Sequence, residues 1–506
     1  MRLCLLLAAA AGARARLAPR ERERARLTGG RRLSDSSSFA QLVKMTASDA
    51  AANDYFGTSV AVDGGTIVVG AWSDDDGGSS SGSAYVLRAS DGAQLAKLTA
   101  SDAANNDRFG TSVAIDGDTI VVGASGVGSM AGTGGKVYVF RKGWYGDTYD
   151  QVATLTASDA ATGDYFGRSV AIDGNTIVVG AYEANSDRGS VYVYRTSDGG
   201  ATYAQVAKLT AADAATGDKF GYSVAIEGDT IVVGAYRDGN TSGAPYYVGG
   251  TGAAYVYRTT DGGATYNQVA KLTASDAASY DYFGCSVAID GDTIVVGAYQ
   301  FTTGPGKAYI FQTDDGGATY GQVAKLTASD AEDDDYFGWS VAIDGATIVV
   351  AAKWDDDAGD KSGSAYVFRS SDGWDGGTTY DQVAKLTAAD GAANDAFGGS
   401  VAIDGDTIVV GACCDDDGGS NSGSAYVFED DSGWFGAGWF GSSSQKSNGG
   451  GVADDDKMMT LVVLAALLGL SLAIAAGLFA LRQQQQLAAK KPRAPRTFTV
   501  TAVQSA

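Results

Sequence analysis

A Phe-Gly pair followed fourteen residues on by Gly-Ala occurs seven times, and no reading of the chain can ignore it. The pairs are Phe56-Gly57, Phe109-Gly110, Phe166-Gly167, Phe220-Gly221, Phe283-Gly284, Phe337-Gly338 and Phe397-Gly398; in the sixth copy Ala351-Ala352 replaces Gly-Ala. Successive copies lie 53 to 63 residues apart, so the unit is constant and its loops vary. A period of that size marks an array of supersecondary units that bury their surfaces against one another.

Each unit contains four strand-like runs. In the second they are 109–116, 119–124, 136–140 and 151–156. Asp-Gly separates the first two, a strong hairpin signal because a type I′ turn needs positive φ at both central residues. Thr-Ile-Val-Val-Gly-Ala is apolar on both faces, which suits a strand covered from two sides. Helical periodicity is absent from the repeats. Four-stranded antiparallel sheets repeated around an axis make a β-propeller.

Counting the strands sharpens this. Ala40-Gln-Leu-Val-Lys-Met-Thr46 precedes the first Phe-Gly and matches the fourth strand of later units, such as Gln205-Val-Ala-Lys-Leu-Thr210. No fourth strand follows Gly423 to Phe428. The expected fold is therefore all-β, a seven-bladed propeller closed by an N-terminal outer strand in the last blade. Residues 40–430 form this one domain, although length alone would suggest three.

With these residues in view, the chain resembles the FG-GAP repeat proteins, the class that builds the propeller of integrin α subunits. The resemblance spans about residues 40 to 430 and implies the propeller fold. It does not specify an activity, because one scaffold carries different functions in different proteins.

The flanks read differently. Residues 1–13 have the form of a signal peptide, with Arg2, an apolar run and Ala11-Gly12-Ala13. The Arg-rich linker 14–39 also suits an organelle transit peptide. Residues 431–457 are a Gly/Ser-rich stalk ending in Asp454-Asp-Asp-Lys457. Residues 458–481 carry no charge and, at 1.5 Å per residue, would reach about 36 Å as a C-terminal transmembrane helix, against a hydrocarbon core of about 30 Å. The basic tail 482–506 places itself in the cytoplasm by the positive-inside rule and the propeller outside or in a lumen, as in a single-pass type I membrane protein.

A net charge of −23, carried almost wholly by Asp in the repeats, excludes a nucleic-acid partner and favours cations or basic ligands. The chain has no histidine, which removes His-dependent triads and imidazole metal sites. Cys285, Cys413 and Cys414 are too few for a disulfide framework. Cys413-Cys414 reads as two small buried strand residues, with a strained vicinal bridge as the alternative.

Two carboxylate sets stand out on the loops that share one face of a propeller. An Asp pair five apart recurs in every loop from strand 4 to the next strand 1: 49/54, 102/107, 159/164, 213/218, 276/281, 330/335 and 390/395. Such uniformity suggests a structural role, such as capping the turn. Asp triplets occupy only three of the loops from strand 2 to strand 3: Asp74, Asp75 and Asp76; Asp355, Asp356 and Asp357; Asp415, Asp416 and Asp417. These nine are the candidate ligands for a divalent cation such as calcium, or a docking surface for a basic partner. The resemblance implies calcium loops between strands 1 and 2, but here those connections are tight turns such as Asp63-Gly-Gly, too short to wrap an ion. Thr196 to Tyr203, Thr259 to Tyr266 and Thr313 to Tyr320 resemble the structural Asp boxes of sialidase propellers. Asn240-Thr241-Ser242 is an N-glycosylation sequon in the longest loop.

The expected function is ligand binding or adhesion at a cell surface through the variable 2–3 and 4–1 loops, with a protein or glycan as partner and no catalytic residue. The alternative is a membrane-tethered carbohydrate-active enzyme using Asp carboxylates in the central depression.

Overall fold

Each Thr-Ile-Val-Val segment forms a strand with an almost wholly buried side-chain set, because sheets cover both of its faces. The computed structural model describes residues 39–126, 134–143, 146, 148–239, 249–301, 304–371 and 377–430. Within them lie 28 strands, β1 to β28 in chain order, arranged as seven four-stranded antiparallel sheets. The first blade is β2 (Phe56–Asp63), β3 (Thr66–Ala71), β4 (Ser83–Arg88) and β5 (Gln94–Leu98). The next five follow the same order.

The seventh blade is built from both ends of the repeat region. Its order is β1-β28-β27-β26, with β1 (Phe39–Met45) antiparallel to β28 (Ser424–Asp430) from Phe39↔Asp430 to Met45↔Ala425. The outer strand thus joins the last blade, as the strand count predicts. Closure removes the unpaired edge that an open array would expose.

Packing between blades explains the motif. The Phe of each Phe-Gly is essentially inaccessible and meets a buried strand-3 Tyr at 5.3–5.5 Å between ring centroids, from Phe56–Tyr85 to Phe397–Tyr426. A Cβ on Gly70 would lie 2.0 Å from the Gly110 carbonyl oxygen of the next blade, so only glycine allows that approach. Ala351 fills the same position in the sixth blade. The inner-strand pattern also changes in the fifth and sixth blades: Ser286 Oγ and Ser340 Oγ accept from Val341 N–H and Val401 N–H at 3.0 and 3.1 Å, whereas Ser59 Oγ donates to Gly110 O at 2.9 Å.

The tight 1–2 turns do more than reverse the chain. Gly117 N–H donates to Asp63 at 2.6 Å, Gly174 to Asp116, Gly228 to Asp173, Gly291 to Glu227, Gly345 to Asp290, Gly405 to Asp344, and Gly64 back to Asp404 at 2.8 Å. A closed hoop of seven charge-assisted bonds therefore ties every blade to the next on the lower face. Asp198, Asp261 and Asp315 collect the backbone N–H groups of their own 3–4 hairpins at 2.9–3.0 Å, as structural Asp boxes do.

The propeller lies within the first of two units, Met1–Ala437, and the second, Gly438–Ala506, is outside the described residues. The 1–13, 458–481 and 482–506 segments and Asn240 also fall outside them. Among the described residues no helix is long and apolar enough to cross a membrane.

Candidate functional site

The upper face, formed by the 2–3 and 4–1 loops, is organised from the buried tyrosines upward. The Tyr85, Tyr138, Tyr192, Tyr255, Tyr309 and Tyr426 hydroxyls lie 2.7–3.0 Å from the first Asp of the preceding 4–1 loop: Asp49, Asp102, Asp159, Asp213, Asp276 and Asp390. The second Asp of each loop caps its own turn, as when Asp54 accepts from Ala51 N–H at 2.7 Å and Asp395 from Ala392 N–H at 2.7 Å. Burial pushes up the carboxyls of Asp54, Asp107, Asp218 and Asp281, and brings those of Asp335 and Asp395 to about 6. The recurring pair is thus a structural device with two different roles.

The triplets join this network through lysine. Lys97 Nζ lies 2.7, 2.9 and 2.6 Å from Asp49, Asp74 and Asp76. In the seventh blade Lys44 lies 2.7, 2.8 and 2.5 Å from Asp390, Asp415 and Asp417. Lys385 holds Asp330, Asp355 and Asp357 in the sixth. The carboxylate oxygens of Asp49, Asp74 and Asp76, and of Asp330, Asp355 and Asp357, are close enough together to share one metal ion. The cation among them here is an ammonium group. Burial works against the Lys44 charge, but its bonds to three carboxylates outweigh that and hold its pKa above the ordinary lysine value.

Within each triplet the three residues differ. Asp74, Asp355 and Asp415 are buried, with Tyr85, Tyr366 and Tyr426 hydroxyls at 2.7, 2.6 and 2.8 Å. Asp75, Asp356 and Asp416 are exposed. The triplets occupy consecutive blades, since the closed ring places six, seven and one side by side, but each is a partly neutralised cage, not an open acidic arc. Asp238 plays the same part in the fourth blade without a triplet, 2.5 Å from the Tyr255 hydroxyl and 2.9 Å from Lys271.

Toward the axis the blades cease to be equivalent. The residue before each Phe-Gly has positive φ, 53–62°, in all seven copies, none of them glycine: Tyr55, Arg108, Tyr165, Lys219, Tyr282, Tyr336 and Ala396. Holding a non-glycine residue there costs on the order of 1 kcal/mol each, and the turn imposes it in every blade, Ala396 included. In blades three to six Tyr165, Tyr282 and Tyr336 join Tyr182, Tyr222, Tyr236, Tyr299 and Trp354 in one run of rings. Centroid distances are 5.2 Å for Tyr165–Tyr182, 5.6 Å for Tyr182–Tyr222, 4.4 Å for Tyr222–Tyr236 and 5.4 Å for Tyr236–Tyr282. The run continues at 5.3 Å for Tyr282–Tyr299, 5.1 Å for Tyr299–Tyr336 and 4.1 Å for Tyr336–Trp354. Cations sit on it: Arg168 over Tyr222 at 4.8 Å, Arg237 over Tyr236 at 5.2 Å, Lys353 over Trp339 at 4.3 Å and Lys361 over Trp354 at 4.6 Å. Arg237 Nε is buried with no acceptor among the described residues.

Seven consecutive segments match the FG-GAP repeat: residues 39–87, 93–140, 149–194, 203–257, 266–311, 320–368 and 380–428. The chain is an FG-GAP repeat protein. No curated protein matches it. Each matched segment begins on or before an outer strand and ends in strand 3 of the following blade, so the repeat in sequence is offset by one strand from the blade in space. All seven Phe-Gly pairs fall inside matched segments and in equivalent places between blades.

Two features of this FG-GAP protein depart from the sequence reading. Cys413 and Cys414 are not buried strand residues; they are half-buried on the turn after β27 (Thr407–Ala412), with free thiols whose Sγ atoms are 3.4 Å apart. The reason is that β27 ends at Ala412, so the pair escapes the alternation of a strand. The aromatic run was missed altogether. Its residues are scattered over almost 190 positions, and only the recurrence of Tyr before Phe-Gly in four copies hinted at it. The lysine cages had a plainer signal, the Lys two residues before Thr in the outer strands, as in Leu42-Val-Lys-Met-Thr46, Leu95-Ala-Lys-Leu-Thr99 and Val383-Ala-Lys-Leu-Thr387.

Proposed function

We propose that this FG-GAP protein is a non-enzymatic, single-pass cell-surface protein that captures an extracellular protein or glycan on the upper face of its propeller. The observation carrying this reading is the run of rings from Tyr165 to Trp354, partly exposed except at the buried Tyr282 and Tyr336, and continuous over four consecutive blades, where blade one has a single Tyr55–Trp72 pair. Packing alone would repeat in all seven. Tyrosine and tryptophan offer large contact area at low conformational cost and dominate binding energetics. Burial raises the phenol pKa values of Tyr182, Tyr236 and Tyr299, so their hydroxyls stay neutral and available for hydrogen bonding.

The charge of the ligand follows from what already lies on the rings. Arg168, Arg237, Lys353 and Lys361 rest against the aromatic faces. A cationic ligand would be repelled there, whereas carboxylate or sulfate groups would be met by guanidinium and ammonium donors. The reading also supports an outward-facing propeller, tethered through residues 458–481.

The test is a glycan and protein array probed with the chain and with a Tyr336→Ala/Trp354→Ala variant. Ligands should be retained by the parent and weakened by about 30-fold or more in the variant, as for loss of a hot spot of about 2 kcal/mol. Equal binding by both proteins would remove the aromatic run from the ligand face.

A further inference from the structure

We propose that Cys413 and Cys414 form a redox-modification site on the upper face, a vicinal dithiol that exchanges with a small-molecule disulfide to give an intrachain Cys413–Cys414 disulfide. This inference does not depend on the ligand-binding reading.

The geometry carries it. Adjacent residues of a strand point to opposite faces, but the turn after Ala412 brings the two Sγ atoms to 3.4 Å. The turn is anchored by Cys414 N–H donating to Asp395 O at 3.2 Å and Asp415 N–H to Ala412 O at 3.3 Å. Other blades use the same turn for different pairs, such as Trp72-Ser73 and Lys353-Trp354, so both thiols together belong to this blade alone. Access is also particular to it. Where the sixth blade carries Trp339, the seventh carries Gly399, and a Cβ there would already lie 3.7 Å from Cys413 Sγ. A bulky side chain at that position would cover the thiols.

The two sulfurs have different tasks. Cys413 Sγ is the sulfur that Gly399 leaves uncovered, and Cys414 Sγ stands 3.4 Å behind it. Cys413 is therefore the attacking thiolate, and Cys414 resolves the adduct. It attacks one sulfur of a disulfide RSSR, forming a Cys413–S–S–R mixed disulfide and releasing RS⁻. Cys414 then loses its proton and attacks Cys413 Sγ, forming the intrachain bond and expelling the second RS⁻, which takes up a proton. Two electrons pass from the dithiol to RSSR, giving two RSH overall. The eight-membered ring so formed reshapes the start of the loop that carries Asp415, a ligand of Lys44.

The test treats the full-length protein with glutathione buffers from reduced to oxidised, quenches with acid and iodoacetamide, and weighs the peptide holding residues 413 and 414. In the oxidised buffer the parent should lose two hydrogens there, resist alkylation and recover both thiols with dithiothreitol. Cys285, buried and pushed up to about 12, should stay reduced and serve as an internal control. Cys414→Ser should retain glutathione on Cys413, and Cys413→Ser should react about tenfold more slowly or less. Full alkylation of both thiols after the oxidising step, persistent glutathione on the parent, or a disulfide joining two chains would overturn the assignment.

Discussion

Lys44 Nζ lies 2.8 Å from the buried Asp415 carboxylate, although 371 positions separate the two residues. One contact thus links the N-terminal outer strand, the last blade and an acidic loop of the upper face. Ring closure rests on this ion pair as well as on the β1–β28 ladder.

Closure should be the most damaging thing to disturb. Removing residues 33–47 would leave the outer edge of β28 unpaired, and the protein should aggregate and melt well below the parent. A milder probe is Lys44→Met, which leaves three carboxylates without their cation and should cost about 2–4 kcal/mol in urea unfolding. Lys208→Met, which removes a single bond to Asp159, should cost less than half as much. Equal costs would show that the cages do not add to closure.

Calcium should act on the cages only when their lysine is removed. In the parent, Lys97 occupies the centre formed by Asp49, Asp74 and Asp76. Lys97→Ala should make thermal melting calcium-dependent and chelator-sensitive, by about 2.7 kcal/mol at a hundredfold excess over the dissociation constant. A calcium shift in the parent that disappears when the nine triplet Asp become Asn would instead make the triplets metal ligands as they stand.

Acid should relieve two strained carboxyls. Burial raises the folded pKa of Asp335 and Asp395 to about 6, above the ordinary 3.8. A group raised on folding favours the folded state once protonated, so its contribution is fully present below the unfolded value and is lost as pH rises through about 6. Asp335→Asn and Asp395→Asn should therefore be more stable than the parent at pH 7.5, by about 1–2 kcal/mol each, and equal to it near pH 4. Chemical unfolding at the two pH values measures the difference, which should vanish and not invert.

Orientation can be read on intact cells. External protease should remove the propeller and spare residues 482–506, and Asn240 should carry glycan when the chain is made in a glycosylating cell. Cleavage of the tail with protection of the propeller would reverse the proposed topology.

The blades were legible in the sequence because every repeat obeys the same local rules. Asp-Gly turns, two-sided apolar strands and a fixed Phe-Gly to Gly-Ala spacing are each set within one unit. Even the closing strand could be counted, since Gln41 to Thr46 matches the other outer strands. The tertiary structure decided what no single repeat contains. Lys97 meets Asp49, Asp74 and Asp76 only because a 4–1 loop, a 2–3 loop and the outer strand β5 converge, and Gly64 reaches Asp404 only because the ring closes. The aromatic run lies deeper still: its rings belong to four blades and touch only around the central axis, where distance along the chain no longer measures distance in space. For Cys413 and Cys414, adjacency was plain from the start, but whether their sulfurs point apart or together depends on where β27 ends. That is a backbone decision, made by the turn and invisible in composition.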